Sequence, residues 1–300
     1  MSNRTHIAYR PDIDGLRALA VLSVVLYHFG IPGLKGGFVG VDIFFVISGF
    51  LIGGLLWREL EDTGHIRLAA FFARRIKRLA PAFVAMAIAT AAVGFIVLLP
   101  FEFREFGKSL IAATVYLSNV HFFREAGYFD TGAEDKILLH TWSLAVEEQF
   151  YIALPLVMLL FARRLGVLRA MLWALFLASF IASLWVLPRS QPAAFYLFPF
   201  RAWELLAGVL LALEAHRRSF DFTAPGWVGA AGLAAVVAGI TLIPAGNQFP
   251  GLWAVLPVLG AALLIASGRR RTTLSKLMSH PVAVGIGLIS YSLYLWHWPV

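Results

Sequence analysis

The sequence predicts an all-α fold: a polytopic bundle of about nine to ten membrane-spanning helices that forms one domain over residues 1–300. Of the 300 residues, 60% are hydrophobic and 14% are charged. Soluble domains are about 45–50% apolar and about 25% charged, so this composition is typical of a membrane protein. Two further observations support the bundle. The apolar residues fall into runs of membrane-crossing length, and no internal repeat divides the chain.

Nine apolar runs approach the length of about 20 residues that a helix needs to cross a bilayer. In chain order they cover roughly residues 16–34, 38–56, 79–99, 138–162, 167–187, 195–213, 226–244, 252–267 and 281–300.

A weaker run at 106–121 is predicted to be an interfacial or re-entrant helix. Basic residues favour the cytoplasmic side of membrane proteins. If 106–121 crossed the membrane, the basic segments 163–169, 214–225 and 268–280 would all move to the outside. With nine spans instead, the N-terminus is inside and residue 300 is outside.

Composition also excludes several classes of function. The chain has no cysteine, which excludes disulfides, thiolate metal sites and a cysteine nucleophile. Its net charge of +8 is explained by basic inner segments rather than by nucleic-acid binding. No Gly-rich phosphate loop is present, which argues against a Walker-type ATPase. We expect no metal site and no permanently bound cofactor, and the sequence gives no indication of oligomeric state.

The first predicted span carries two residues that lipid disfavours, Arg17 and His28. They are eleven residues apart, so on a helix they share one face and lie roughly 16 Å apart along its axis. Ionisable residues inside a membrane are costly and usually functional. Other spans place such residues toward their outer ends: Asp42, Glu147, Glu148, Arg201, Glu204 and His297. We therefore predict a polar site in the outer half of the bundle.

Structural interpretations of these residues stay open from the sequence alone. Arg17 could extend its side chain to cytoplasmic headgroups, and His28 could be a buried histidine with satisfied hydrogen bonds. His297 lies between Trp296 and Trp298, where an aromatic-belt position is the simpler explanation.

The acidic residues have structural alternatives too. Asp42 and Arg201 could form an ion pair between two helices. Glu148 is better explained as a structural or solvated partner than Glu147 is, so Glu147 is the stronger functional candidate of the two.

The stretch FFARRIKRLAP, residues 71–81, ends the first inside loop and starts the third predicted span. Arg75 and Arg78 are three residues apart and share a helical face, and Arg74 and Lys77 form a neighbouring pair. Arginine binds phosphates with two parallel hydrogen bonds. The segment is therefore a candidate site for a phosphorylated cytoplasmic ligand, although ordinary positive-inside charge also explains it.

Six stretches of the chain together resemble the acyltransferase-3 family of bacterial membrane O-acyltransferases, particularly those that O-acetylate lipopolysaccharide O-antigen and other surface glycans. They are YRPDIDGLRALAVLSVVLYHFG, GGFVGVDIFFVISGFLI, FFARRIKRLAP, LLHTWSLAVEEQFY, FRAWELLAG and SYSLYLWHWP. The resemblance runs from about residue 9 to residue 300, and so many motifs in one order make it specific.

The resemblance implies an activity and its substrates. The donor would be an acyl-CoA, usually acetyl-CoA, used from the cytoplasm. The acceptor would be a hydroxyl of a glycan or a lipid-linked saccharide outside the cytoplasm, and the protein would lie in the cell inner membrane. Members of this group usually continue beyond the position of Val300, so a C-terminal helix or extracytoplasmic domain is expected to be missing here.

The resemblance also implies site residues. The family's pattern of Arg, ten residues and His falls on Arg17 and His28, and its cytoplasmic Arg-x-x-Arg falls on Arg75 and Arg78. With Arg74 and Lys77 beside them, these last two would hold the phosphates of acyl-CoA.

The remaining motifs imply catalytic and acceptor-site residues. His28 would be the general base that takes the proton of the acceptor hydroxyl, and Glu147, or alternatively Asp42, would orient it as in a catalytic triad. Arg17 would face the donor. The residues expected to line the acceptor site are Arg201, Glu204, Ser143, Trp142 and His297. Direct attack on the thioester and an acyl-enzyme on Ser143 or Ser48 both stay open.

The rival interpretation is a proton-coupled membrane transporter, because buried His, Asp, Glu and Arg side chains also suit such a carrier. Many carriers show repeated halves and broken helices. This chain has no visible repeat, and its basic inner segment has no role in a carrier. Acyl transfer is therefore the favoured function.

Overall fold

The computed structural model describes residues 9–126, 136–217, 225–246, 248–268 and 272–299. Within these ranges the chain forms helices and no β-strand, so the predicted all-α fold is confirmed. Residues 218–224 and 269–271, which belong to two of the predicted basic inner segments, lie outside the described ranges.

The helices follow one another along the chain with short connections. They are α1 Pro11–His28, α2 Gly40–Thr63, α3 Leu68–Val97, α4 Pro100–Thr114, α5 Ser118–Glu125, α6 Thr141–Leu160, α7 Leu165–Val186, α8 Gln191–Tyr196, α9 Phe198–Arg217, α10 Gly226–Leu242, α11 Val255–Ser267, α12 Thr273–Met278, α13 Pro281–Leu288 and α14 Ser290–Trp296. Short 3-10 helices, Gly37–Val39 and Gly251–Ala254, precede α2 and α11.

Five helical segments of the described chain are long and apolar enough to cross a membrane. They are Gly37–Thr63, Leu68–Val97, Thr141–Leu160, Leu165–Val186 and Gln191–Arg217, and the apolar helices α10 and α11 are shorter. These segments coincide with predicted spans and indicate a multi-pass membrane protein.

Three predicted element boundaries are wrong. The first predicted span, 16–34, extends six residues beyond His28, where α1 ends. The last predicted span, 281–300, is two helices, α13 and α14, which break at Ile289. The break places Ser290 where its hydroxyl accepts a hydrogen bond from Arg17. The basic stretch 71–81 lies wholly inside α3, which begins at Leu68, because this stretch is rich in the strong helix formers Ala, Arg and Leu.

The weak run at 106–121 falls on two short helices, α4 and α5. They have 15 and 8 residues, fewer than the roughly 20 that a crossing helix needs. Tyr116, between them, has a positive φ of 56° that interrupts the helix. As predicted, this stretch does not form one membrane-crossing helix.

Glycines lie in the most extensive helix contact that the structure describes. In the described part of the chain, α2 and α9 pack against each other more extensively than any other pair. A Cβ atom at Gly49 would collide with the carbonyl of Leu205, and one at Gly208 would collide with the carbonyl of Val46. Small residues let membrane helices approach closely, so the glycines bring the polar side chains of α2 and α9 together.

Helix ends place three histidines together. His28 is the last residue of α1, His140 directly precedes α6, and His297 directly follows α14. The basic segment of α3 contacts α6 about two turns farther along that helix, where Arg75 meets Glu148 and Tyr151. The fold thus separates a histidine cluster from an arginine cluster along the same helices.

Candidate active site

The first cavity, called here the arginine cavity, has a volume of about 350 Å³. Small-molecule sites commonly have volumes of about 300–1,000 Å³. Its polar lining consists of Arg17, Ser48, Arg74, Arg75, Arg78, Tyr116, Thr141, Ser143, Glu147, Glu148, Tyr151, Ser290, Tyr291 and Tyr294. Apolar side chains from α2, α3 and α6 complete its wall.

Two arginines of α3 are free to meet a ligand at this cavity. Arg74 and Arg78 line it and are exposed, and neither forms an ion pair with any residue that the structure describes. Lys77 is exposed but does not line the cavity. The predicted grouping of Lys77 with the donor-binding arginines is therefore not supported, because the helical rotation places it on another face of α3.

Arg75 is held by the protein itself. Its Nη2 lies 2.9 Å from Glu148 Oε1, and its guanidinium carbon lies 3.5 Å from the centre of the Tyr151 ring. Glu148 is thereby a structural partner of Arg75, which is the kind of role that the sequence analysis favoured for it over a catalytic one. Arg75 lines the cavity in a fixed orientation instead of extending into solvent.

Arg17 also lines the arginine cavity, where Asp14 and Ser290 hold its side chain. Its Nη1 lies 3.2 Å from Asp14 Oδ1, and its Nη2 donates to Ser290 Oγ at 2.9 Å. These two contacts hold the guanidinium against α14, on the wall of the cavity.

Glu147 lies in the same cavity as Arg17 and is half-buried. Its Oε1 accepts a hydrogen bond from Ser48 Oγ at 2.6 Å. The arginine cavity therefore pairs cationic side chains with one carboxylate that no described ion pair engages.

The second cavity, called here the histidine cavity, has a volume of about 220 Å³. Its lining is largely aromatic, with a few polar groups: Tyr27, His28, Phe38, Asp42, His140, Trp142, Gln191, Phe195, Tyr196, Arg201, Phe249, Tyr294 and Trp298. His28 is exposed, so its ring is open to a molecule that enters this cavity.

The three histidines form one cluster. His28 Nδ1 lies 3.2 Å from His297 Nε2, and the ring centre of His140 lies 5.7 Å from that of His297. His297 and His140 are buried, with exposed fractions of 8% and 3%. Neither ring nitrogen of His140 has a hydrogen-bond partner among the described residues.

A thin wall separates the two cavities. Only Val41 and Tyr294 line both of them, as far as the described residues show. The Tyr294 hydroxyl donates to the His140 carbonyl at 3.0 Å and lies 2.7 Å from Ser143 Oγ. Tyr294 is therefore part of the wall between the two cavities.

The predicted pairing of His28 with Glu147 is wrong in this structure. The two residues line different cavities, and the ring of His28 contacts His297 instead. The prediction used only the depth of the two residues in the membrane. Residues at similar depth can still lie on opposite sides of the wall between two cavities. Asp42 lines the histidine cavity together with His28, but its carboxylate forms an ion pair with Arg201. The alternative of an ion pair between two helices is therefore the one that the structure shows.

Arg201 occupies a buried ionic cluster with two carboxylates. Its Nη2 lies 3.1 Å from Asp42 Oδ1. Its Nη1 lies 3.2 Å from Glu204 Oε1, at ion-pair distance but not aligned as a hydrogen bond. All three residues are fully buried. The guanidinium is surrounded by rings whose centres lie 5.6–5.7 Å away, those of Phe45, Trp142, Phe195 and Phe249.

The residues expected at an acceptor site are divided among these places. Arg201 and Trp142 line the histidine cavity, while Ser143 lines the arginine cavity. Glu204 lines neither cavity, and His297 lies behind His28.

Sequence reasoning missed His140 and Tyr294. Both lie within quoted motifs, LLHTWSLAVEEQFY and SYSLYLWHWP, so their positions were visible. A signal existed for His140, because it is a third histidine at the predicted outer end of a span. The sequence offered no such signal for Tyr294, since an aromatic residue in an apolar run is most simply interpreted as part of the hydrophobic core.

Comparison with known proteins identifies relatives over almost the whole chain. The sequence model described as "Acyltransferase domain", acyltransferase family 3, matches residues 10–300. The chain is 32% identical over 307 residues to a protein of Listeria monocytogenes named peptidoglycan O-acetyltransferase OatA, with 97% of this chain and 49% of that protein covered.

Relatives in Staphylococcus aureus give the same result. The chain is 34% identical to a putative O-acetyltransferase and 32% identical to O-acetyltransferase OatA, and each match covers 97% of this chain and 50% of the relative. The chain thus spans about half the length of the curated relatives that it matches. No solved structure matches it. On the evidence of the family match and these identities, the chain belongs to the acyltransferase-3 family.

Proposed function

We propose that this chain is the membrane domain that moves an acetyl group from acetyl-CoA in the arginine cavity to a hydroxyl of a surface glycan in the histidine cavity. The observation that carries the proposal is the pair of cavities with Tyr294 between them. One cavity presents unpaired arginines, and the other presents an exposed histidine.

The donor suits the arginine cavity. Phosphates of CoA would bind Arg74 and Arg78, because arginine forms charge-assisted hydrogen bonds with phosphate. Extended pantetheine covers roughly half of a hydrocarbon core of about 30 Å, so the thioester would lie deep in the cavity, near Arg17 and Glu147. Acyl-CoA is the substrate that combines a polyanionic end with a long neutral arm.

The acceptor suits the histidine cavity. Its aromatic walls offer flat apolar surfaces to the faces of sugar rings, and a few polar groups such as Gln191 and His28 would orient the hydroxyls. The names of the relatives favour a glycan acceptor. Peptidoglycan and lipopolysaccharide O-antigen are the two glycans to test first.

In the proposed acyl transfer, the side chain of Tyr294 must move so that the acceptor hydroxyl in the histidine cavity can reach the thioester in the arginine cavity. When its side chain turns aside, the acceptor hydroxyl attacks the thioester carbonyl, a C–O bond forms and the C–S bond breaks. His28 takes the hydroxyl proton as general base. The CoA thiolate leaves and receives a proton, so that His28 returns to its neutral form by proton transfer to the thiolate.

The proposed orientation places the arginine cavity at the cytoplasmic face of the cell inner membrane, with the N-terminus inside. Arg74, Arg75, Lys77 and Arg78 of α3 support this orientation, because basic residues concentrate on the cytoplasmic side. Acyl-CoA would therefore enter from the cytoplasm, and the glycan from the opposite side.

The test uses the purified chain in nanodiscs with acetyl-CoA labelled in the acetyl group. We expect thermal stabilisation by acetyl-CoA, and label transfer to peptidoglycan fragments or to O-antigen. Absence of both results would reject the proposal. Acetyl-CoA-independent, proton-driven uptake of a solute into vesicles would instead support the rival transporter.

A further inference from the structure

We infer that His297 is the positioning residue for His28: it fixes which ring nitrogen of His28 carries the proton and leaves the other free to act as base. This inference deepens the proposed function and rests on it for the catalytic role. The geometric part, a defined tautomer of His28, stands on the hydrogen bonds. The Val24 carbonyl also faces the His28 ring, so the spectrum of His297→Ala decides which of the two acceptors fixes the tautomer: an unchanged Nδ1–H signal in that variant would assign this role to Val24 and contradict the inference.

The first step is the hydrogen bond at the backbone. His297 Nδ1 lies 2.6 Å from the carbonyl oxygen of Tyr294. A carbonyl can only accept, so His297 Nδ1 must carry a proton. A neutral imidazole has one donor and one acceptor nitrogen, which leaves His297 Nε2 with a lone pair.

The second step transfers this constraint to His28. The nitrogen 3.2 Å from His297 Nε2 is His28 Nδ1. Because His297 Nε2 accepts, His28 Nδ1 must donate. In neutral His28 the remaining nitrogen, Nε2, then holds the lone pair that a general base needs.

Packing keeps the two rings in register. The ring of His28 lies with its centre 4.6 Å from that of Trp298, at an interplanar angle of 86°, and 5.1 Å from that of Tyr27. Trp298 is itself anchored, since its Nε1 donates to the Lys136 carbonyl at 2.8 Å. The exposed His28 ring is therefore held by the buried His297 and by the half-buried rings of Trp298 and Tyr27.

A neutral partner suits this location. In a catalytic triad a carboxylate orients the histidine, but an extra buried carboxylate inside a membrane is costly. Here the backbone carbonyl of Tyr294 ends the relay without any added charge. The titratable or charged groups that face the pair are Tyr27, Asp42, His140, Arg201 and Tyr294, and the carboxylate among them is already paired with Arg201.

The first experiment reads the tautomer directly. Protein labelled with ¹⁵N-histidine is studied by NMR in nanodiscs at a pH where His28 is neutral, and the His28 signals are assigned by their loss in His28→Asn. We expect the Nδ1–H tautomer in the wild-type protein and a mixture in His297→Ala. A wild-type His28 that carries its proton on Nε2 would overturn the inference.

The second experiment measures acetyl transfer by His297 variants. His297→Ala should lower kcat about 10²-fold, with the KM for acetyl-CoA unchanged. His297→Gln should restore kcat to within about tenfold of wild type, because its side-chain oxygen can accept from His28 Nδ1. His65→Ala, which removes an exposed histidine far from the cluster, is the matched control.

The outcomes are separable. Wild-type kcat in folded His297→Ala would contradict the positioning role even though transfer itself is observed. If wild-type protein neither binds acetyl-CoA nor transfers acetyl groups, the proposed function fails, while the NMR spectrum still decides the tautomer. If His297→Ala does not fold, the spectrum of the wild-type protein and the rate of His297→Gln decide.

Discussion

His28 combines two properties that rarely occur together in a membrane helix: it is exposed to a cavity, and its ring is fixed by a buried neighbour. A base must meet its substrate and also keep one orientation. The end of α1 satisfies both conditions, because His28 is the last residue of the helix and lines the histidine cavity while its ring lies against His297. The sequence predicted His28 as the base but not the partner that supports it.

The first prediction concerns this base. Replacing His28 with Ala should reduce acetyl transfer about 10²–10⁴-fold, the usual contribution of a general base. Binding of acetyl-CoA should stay near the wild-type level, because His28 does not line the arginine cavity. Label transfer and acetyl-CoA-dependent melting temperature measure the two effects. Full transfer activity in a folded variant would remove His28 from the mechanism.

The second prediction concerns the buried ionic cluster. Arg201→Met should destabilise the protein by about 3–5 kcal/mol, because it leaves Asp42 and Glu204 buried without a cation. Adding Asp42→Asn to that variant should recover part of the loss, since one uncompensated carboxylate is removed. Thermal unfolding of the single and double variants in one detergent gives the comparison. Equal stability of wild type and Arg201→Met would show that the cluster contributes nothing.

At the scale of single residues, the sequence located cavity-lining residues better than it located their neighbours. Arg17, His28 and Glu147 were selected because ionisable residues are costly in lipid, and each does line a cavity. Their neighbours depend on the rotation of each helix, and hydropathy does not encode rotation. For this reason Glu147 was assigned to His28, although it contacts Ser48.

The length of the apolar runs predicts well where the long helices lie. It does not predict where each helix begins and ends. The predicted span 167–187 became α7, Leu165–Val186, while the predicted span 281–300 broke at Ile289. A tertiary contact explains the break, because Ser290 bonds a side chain of α1. Such contacts between distant parts of the chain are invisible to a local pattern.

The third prediction tests α3 as the donor-binding helix. Replacing Arg74 and Arg78 with Glu should weaken acetyl-CoA binding at least tenfold, because cationic partners of phosphate are lost and repulsion is added. Lys77→Glu is the matched control: it reverses a charge on the same exposed segment but outside the cavity. Titrations with acetyl-CoA compare the three. Equal binding by all of them would make the basic segment a topology signal only.

The fourth prediction tests the close approach of α2 and α9. Gly49→Ala should destabilise the bundle by about 1–3 kcal/mol, because the new methyl group meets the Leu205 carbonyl. Gly54→Ala on the same helix should be tolerated, since its nearest contact is the Ala212 methyl at 3.4 Å. Both changes raise helix propensity alike, so their difference in melting temperature isolates the contact. Equal melting temperatures would contradict the close packing.

On the scale of the whole molecule, the bundle holds two cavities with a shared wall. The basic segment of α3 lines the arginine cavity, and His28 at the end of α1 and His140 before α6 line the histidine cavity. The sequence places the basic segment and the outer polar residues at different predicted depths, and the structure places Arg74 and Arg78 at one cavity and His28 at the other. The partition at Tyr294 was not anticipated, since it arises only when α14 packs between the other helices.

Sided acetyl transfer in proteoliposomes tests the central claim most directly. Protein orientation is first established by labelling Lys77→Cys, the only thiol in an otherwise cysteine-free chain, with an impermeant reagent. Labelled acetyl-CoA is then supplied on the Lys77 side and an impermeant glycan fragment on the opposite side, with His28→Ala as background. The two-cavity account predicts O-acetyl glycan on the side away from acetyl-CoA. Acetylation only when both substrates are on the same side would contradict it.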